Sequence, residues 1–179
     1  MDKDSVVPSL RSAAIVCLLS GVVACTSIPP AHGAKPDFSG AWSVEWCDKE
    51  NAQRDCGAFN LYLVQDGDHL CGEHQMATVG LGRLDEGQPG SVLGSVSGNR
   101  ATVVIDATRS GAKYMATAER TGNCLQWRIV GMVLAGESAE PTIIPQKGTL
   151  TRDLRASQVD HAKAVKDAPC PWADAVAAE

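Results

Sequence analysis

The chain has 179 residues, 44% of them apolar and 21% charged, with a formal net charge of −5 at neutral pH. The apolar share suffices for one packed core, and the acidic balance argues against nucleic acid or an anionic membrane face as partner. Seven cysteines in so short a chain point to an oxidising compartment and to disulfides before metal.

The first element is a targeting segment. Lys3 and Arg11 precede an apolar run from Ala13 to Cys25, interrupted only by Ser20 and Gly21. At ~13 residues the run is shorter than the ~20 that span a bilayer, so it reads as a secretory signal over residues 1–24. It ends in VVAC, small and aliphatic residues directly before a cysteine. This resembles the lipobox of bacterial lipoproteins. The resemblance implies that Cys25 becomes the mature N-terminus, carrying thioether-linked diacylglycerol and an amide-linked chain such as palmitate. Two or more chains make such anchoring stable. Thr26, where an Asp would imply retention at the inner membrane, implies the outer membrane, facing the periplasm. The competing reading is cleavage after AHG, before Ala34, which leaves a free protein. Residues 1–24 hold two basic and two acidic residues, so their loss keeps the charge at −5. Residues 25–36 form the lipidated cysteine and a Pro-, Gly- and Ala-rich tether.

The remaining length is enough for one domain. Period-two alternation predicts strands at 41–47, 58–65, 69–75, 91–97, 101–107, 112–120, 124–130 and 148–152, with Gly, Asn and Asp at the turns between hairpin partners. A helical pattern occurs once, over 154–168, with Leu154, Ala162 and Val165 on its apolar face and Pro169 as its stop. Eight antiparallel strands close into a barrel or split into two packed sheets; closure removes the exposed edges. The expected organisation is therefore an all-β domain over 37–152, followed by a helix and tail over 153–179.

DFSGAW (37–42) resembles the Gly-x-Trp opening of the lipocalin and avidin-like calycin barrels. That resemblance implies an eight-stranded antiparallel up-and-down barrel with one C-terminal helix. It further implies that Trp42 packs at the closed end beneath an arginine of the last strand, here Arg152 of TLTR. A weaker likeness is to Inh-type protease-inhibitor barrels, which share the Trp-bearing first strand and a disulfide.

Of the cysteines beyond residue 25, Cys47 closes the first strand and Cys56 precedes the second. A Cys47–Cys56 bridge is expected to pin the loop between them, for ~2–3 kcal/mol. The pairing of Cys71, Cys124 and Cys170 stays open, with one thiol of the five left over.

GDHLCGEHQ (67–75) concentrates His69, Cys71, Glu73 and His74. Zinc needs converging ligands. A strand puts His69, Cys71 and Glu73 on one face and His74 on the other. Leu70 fits the inward register, so the three are expected on a solvated outer face, with no metal, no cofactor and no meeting with His161. Asp85 and Glu86 fall in the Gly-rich segment 80–90 and read as solvated loop. No GxSxG or phosphate-cradling loop occurs, so no catalytic residue is assigned.

Trp42, Trp46, Phe59 and Trp127 share the inward register. They read either as a filled core or as the lining of an apolar ligand pocket. The loops 76–90 and 131–147 are Gly- and Pro-rich. In PTIIP, Ile143 and Ile144 stand out as partner-binding residues or as a cover over the barrel mouth. The functional expectation is a non-catalytic envelope lipoprotein that engages or inhibits another protein. The alternatives are a lipocalin-like carrier of a small apolar ligand and a structural envelope protein.

Overall fold

The computed structural model describes residues 36–168 and 170. Cys25, the tether and the tail beyond Cys170 lie outside the described residues.

The strands are β1 (Gly40–Trp46), β2 (Gly57–Asp66), β3 (His69–Ala77), β4 (Leu84–Glu86), β5 (Val92–Ser97), β6 (Arg100–Ala107), β7 (Ala112–Thr121), β8 (Cys124–Leu134) and β9 (Lys147–Arg152), followed by helix α1 (Ala156–Asp167). All pairings are antiparallel. The order β2-β1-β9-β8-β7-β6-β5-β3 is closed by β2 pairing with β3. Eight strands thus make the barrel, and β1 is hydrogen-bonded to both β2 and β9. The expected barrel with one C-terminal helix is the observed architecture.

Two features depart from the expected strand pattern. The segment expected as a solvated loop holds β4, which pairs with Gln75–Ala77 on the same side of β3 that β5 occupies at His69–Gly72. β4 and β5 thus flank one edge of β3 in succession. The second departure is β8, which runs on to Leu134 beyond the end of β9's pairing at Arg128. Period-two reasoning stopped it early because two bulges break the alternation: Val130 and Val133 have no register partner on β7.

The core is the barrel interior. Trp42, Phe59, Leu61, Leu70, Ile105, Leu125 and Leu150 are each almost wholly buried there, contributed by β1, β2, β3, β6, β8 and β9 around the wall. The alternation that places them is the same one that sends their neighbours outward. Helix α1 lies on the outside, against β1, β2 and β3. Val165 and Ala162 meet Ala41, Tyr62 and Val64 in a small second cluster. Leu154, expected on this face, precedes the helix and is exposed.

Two disulfides add to the noncovalent contacts. Cys47–Cys56 closes the β1–β2 loop, as expected from position. Cys71–Cys170 ties the chain beyond α1 to the outer face of β3. Cys124, buried at the start of β8, is disulfide-bonded in turn.

Candidate functional site

The closed end of the barrel is built on Gly40, Trp42 and Arg152. Trp42 and Arg152 are register partners across β1 and β9. The Arg152 guanidinium lies 5.1 Å from the Trp42 ring centroid, and that of Arg120 lies 5.8 Å from it. Trp42 Nε1 donates to Phe38 O at 2.8 Å, Arg152 Nη2 donates to Ser39 O at 2.6 Å, and Arg120 Nη1 donates to Asp37 O. The chain can pass this close because residue 40 is glycine. Its φ is +119°, and a Cβ there would stand 2.9 Å from Arg152 Nη2. Burial and the neighbouring Arg152 charge both lower the Arg120 pKa. Asp37 stays below the ordinary carboxylate value. Burial pushes it up, but the hydrogen bonds of Ser39 and the two arginine charges outweigh that.

The inward aromatic residues fill the interior. Trp42 and Phe59 are fully buried and Trp127 nearly so, with Phe59 and Trp127 rings 5.4 Å apart; Trp46 is partly buried against the same cluster. Trp127 Nε1 donates to Pro145 O at 2.9 Å, which draws the 135–146 segment onto the barrel. Ile143 and Ile144 are buried in that core. The expectation that they project toward a partner is corrected: apolar side chains flanked by prolines plug the barrel end. The cover, weighed as the other reading, is the arrangement found.

The His/Cys/Glu stretch of β3 divides as alternation requires, but its outer face is solvated only at His69. Cys71 and Glu73 are buried under α1. Glu73 accepts a close contact from His161 Nε2, and the His161 ring lies 4.2 Å from that of Tyr62. The expectation that His161 stays away from this stretch is therefore overturned; the helix docks on the face that carries Glu73. Tyr62 Oη sits 2.6 Å from Gln158 Oε1 and 3.1 Å from Gln75 Oε1. Burial, with the Glu73 and Asp153 charges, pushes its pKa up to about 12. Among the described residues no group of three or more His, Cys, Asp or Glu side chains is arranged to hold a metal ion.

On the inner face the barrel holds a polar cluster that sequence reasoning missed. His74 points inward with Leu70 and Met76. Its Nε2 lies 3.3 Å from Asp85 Oδ1 and its Nδ1 3.3 Å from Ser91 Oγ. Thr108 donates to Asp85 Oδ1 through its backbone N–H at 3.0 Å and through its hydroxyl. Burial raises the Asp85 pKa, but hydrogen bonds from His74 and Thr108 and the attraction of His74 hold it below the ordinary value. Asp85 is thus a core residue of β4, not part of a solvated loop. The order Ser–His–Asp is that of a nucleophile, base and orienting acid. Ser91 is buried here, however, and Gly87 closes over it: a Cβ at Gly87 would stand 2.0 Å from Ser91 Oγ and 2.6 Å from His74 Nδ1. The cluster joins β3, β4, the start of β5 and the β6–β7 turn, and it acts as a brace. The readable signal was the inward register of His74. What hid its partners was a glycine-rich composition around Asp85 and Ser91 that resembles open loop.

The outer wall away from α1 carries a depression of ≈ 700 Å³, lined by the Arg100–Glu119 ion pair, Gln126, Arg128, Lys147 and Thr149 among others. Arg128 and Lys147 are register partners on β8 and β9. Like charges directly opposed on a sheet are destabilising, and neither makes an ion pair among the described residues. No family model, no curated protein and no solved structure matches this chain.

Proposed function

We propose that the chain is an envelope lipoprotein, anchored in the bacterial outer membrane through lipids on Cys25 and facing the periplasm, whose barrel is a non-catalytic module that engages another protein, as inhibitor or immunity lipoproteins do. What supports the reading is where the recognition chemistry lies. Inward aromatic side chains occupy the barrel axis, so a carrier would have to displace Phe59 or Trp127. The outer wall instead offers a polar depression with the opposed cations Arg128 and Lys147. A folded chain retains such a like-charged pair at a cost, and an acidic partner surface relieves it.

The test is native mass spectrometry of the unlipidated chain after incubation with envelope extract, run beside Thr149→Trp, which fills the depression from an exposed position. A discrete complex with one protein, lost in Thr149→Trp, supports the reading. A retained mass of a few hundred daltons that survives Thr149→Trp moves the function to a small-ligand carrier. A bare mass in both leaves a structural role ahead.

A further inference from the structure

β9 covers β8 only from Cys124 to Arg128, and the last backbone contact on that side is Ile129 N donating to Gln146 O at 2.8 Å. From Val130 to Leu134, β8 has β7 on one side and, among the described residues, no strand on the other. Proteins blunt such edges with charge, proline or bulges, and of these β8 has only the bulges at Val130 and Val133. Here the eight residues IVGMVLAG (129–136) contain no polar side chain. Val130, Met132, Val133 and Leu134 are 55%, 60%, 58% and 53% exposed. An exposed apolar edge of this kind is the template on which another strand adds.

The charges at the two ends of the run say which strand fits. Arg128 precedes it and Glu137 follows it, and neither makes an ion pair among the described residues. A cation at the N-terminal end and an anion at the C-terminal end make the segment complementary to itself when two copies run antiparallel. A two-fold axis perpendicular to the sheet requires one residue to face its own copy. Met132 lies between the bulges at Val130 and Val133, near the middle of the run, and takes that place. The Glu137 of each copy then comes to the Arg128–Lys147 end of the other, where β9 begins.

We infer that the Val130–Leu134 edge of β8 is a self-association surface, on which a second copy of this chain pairs antiparallel about Met132. The pairing runs along the strand edge and not through the depression centred on Thr149, with Arg128 bordering both. Five residues of strand form a small interface, so the dimer is weak and concentration-dependent, below the ~1,200 Å² of stable complexes. On a membrane, anchoring of both copies would raise their local concentration and favour it.

The experiment is sedimentation equilibrium of the purified protein between about 5 and 500 µM, a range that brackets weak dimers. The expected result is a mass rising from monomer toward dimer. Met132→Lys places like charges on the axis at an exposed position; it should raise the dissociation constant at least about tenfold with unchanged circular dichroism. Arg128→Glu and Glu137→Arg should each weaken the dimer by about fivefold or more, and the double variant should restore it, as for any coupled charge pair. A monomer throughout the range overturns the inference. So does a dimer indifferent to Met132→Lys, or a charge-swapped pair with no recovery. Met132→Lys lies outside the depression and should leave binding there unchanged, and Thr149→Trp lies outside the edge and should leave the dimer unchanged, so failure of one reading is distinguishable from failure of the other.

Discussion

The Arg152 guanidinium lies 5.1 Å from the Trp42 ring centroid while Arg152 Nη2 donates a hydrogen bond to Ser39 O, so the last strand of the barrel is stapled to the first through one side chain. The rigid guanidinium fork carries separate donors for both contacts, whereas an ammonium is a single, more strongly hydrated point charge. Arg152→Ala should destabilise the barrel by about 1–3 kcal/mol, the sum of a lost cation–π contact and a lost hydrogen bond. Arg152→Lys should recover less than half of that. Gly40→Ala should cost about 1–3 kcal/mol through a backbone φ that L side chains avoid. Urea denaturation with an unchanged m-value is the measurement. A wild-type midpoint in Arg152→Ala would mean that β1 and β9 are held by their ladder alone.

The buried cluster of His74, Asp85, Ser91 and Thr108 gives the fold an acid limit. The Asp85 carboxyl is held below its unfolded value of about 3.9, so its contribution is fully present above that pH and is lost as pH falls through the folded pKa. Asp37 and Asp153 are depressed as well and add to the same window. The chain should therefore lose stability steeply below about pH 4. Asp85→Asn should start less stable at neutral pH and show a shallower acid slope. Parallel acid limbs for the two proteins would exclude Asp85 as the source of the slope.

Helix α1 is held by a small apolar cluster, by polar contacts of Gln158 and His161 and by the disulfide beyond its end. Only Val165 of its side chains is buried, and its N-cap residue, Arg155, makes no side-chain capping bond. Asp153 supplies part of the missing cap by accepting from Arg155 N at 3.0 Å. The Cys71–Cys170 bond spans 99 residues, and closing so long a loop restrains the unfolded chain by about 4–5 kcal/mol in the chain-entropy account. Replacing both cysteines by serine should let the amides of residues 156–167 exchange rapidly while those of β5–β8 stay protected. Slow exchange throughout α1 in that variant would show that the Glu73–His161 and Tyr62–Gln158 contacts suffice.

Barrel, helix and closed end were legible because each rests on a local rule. Alternation fixed the register of Trp42, Phe59, Leu61 and Trp127, and Gly-x-Trp marked a place where backbone and arginine pass too closely for a Cβ. What escaped the sequence depended on distant partners. Asp85 looks like solvated loop until β3 supplies a strand for it to pair with. Glu73 looks solvated until the disulfide at Cys170 brings the helix over it. The bulges at Val130 and Val133 broke the period that would have carried β8 to Leu134, and so hid its open edge.

The proposed anchoring through Cys25 makes a prediction of its own. Cys25→Ser removes the thioether, and with it acyl chains contributing about 0.8 kcal/mol per buried methylene. The variant should leave the membrane fraction. Persistence in membranes washed with high salt would exclude lipid as the anchor, since salt screens the remaining electrostatic contacts.

Ile143 and Ile144 separate a plug from a docking loop. Both are turned into the core, and Pro145 O accepts from Trp127 Nε1 immediately after them. A docking residue changed to aspartate would spare the fold and abolish binding. A plug changed to aspartate buries an unpaired carboxylate and should destabilise by about 3–5 kcal/mol. Ile144→Asp, the more buried of the two, is therefore expected to shift the urea midpoint strongly, while Ile144→Val should cost only about 0.5–1.5 kcal/mol. Near-native stability for Ile144→Asp would put these side chains back on the surface and restore the loop as the face a partner meets.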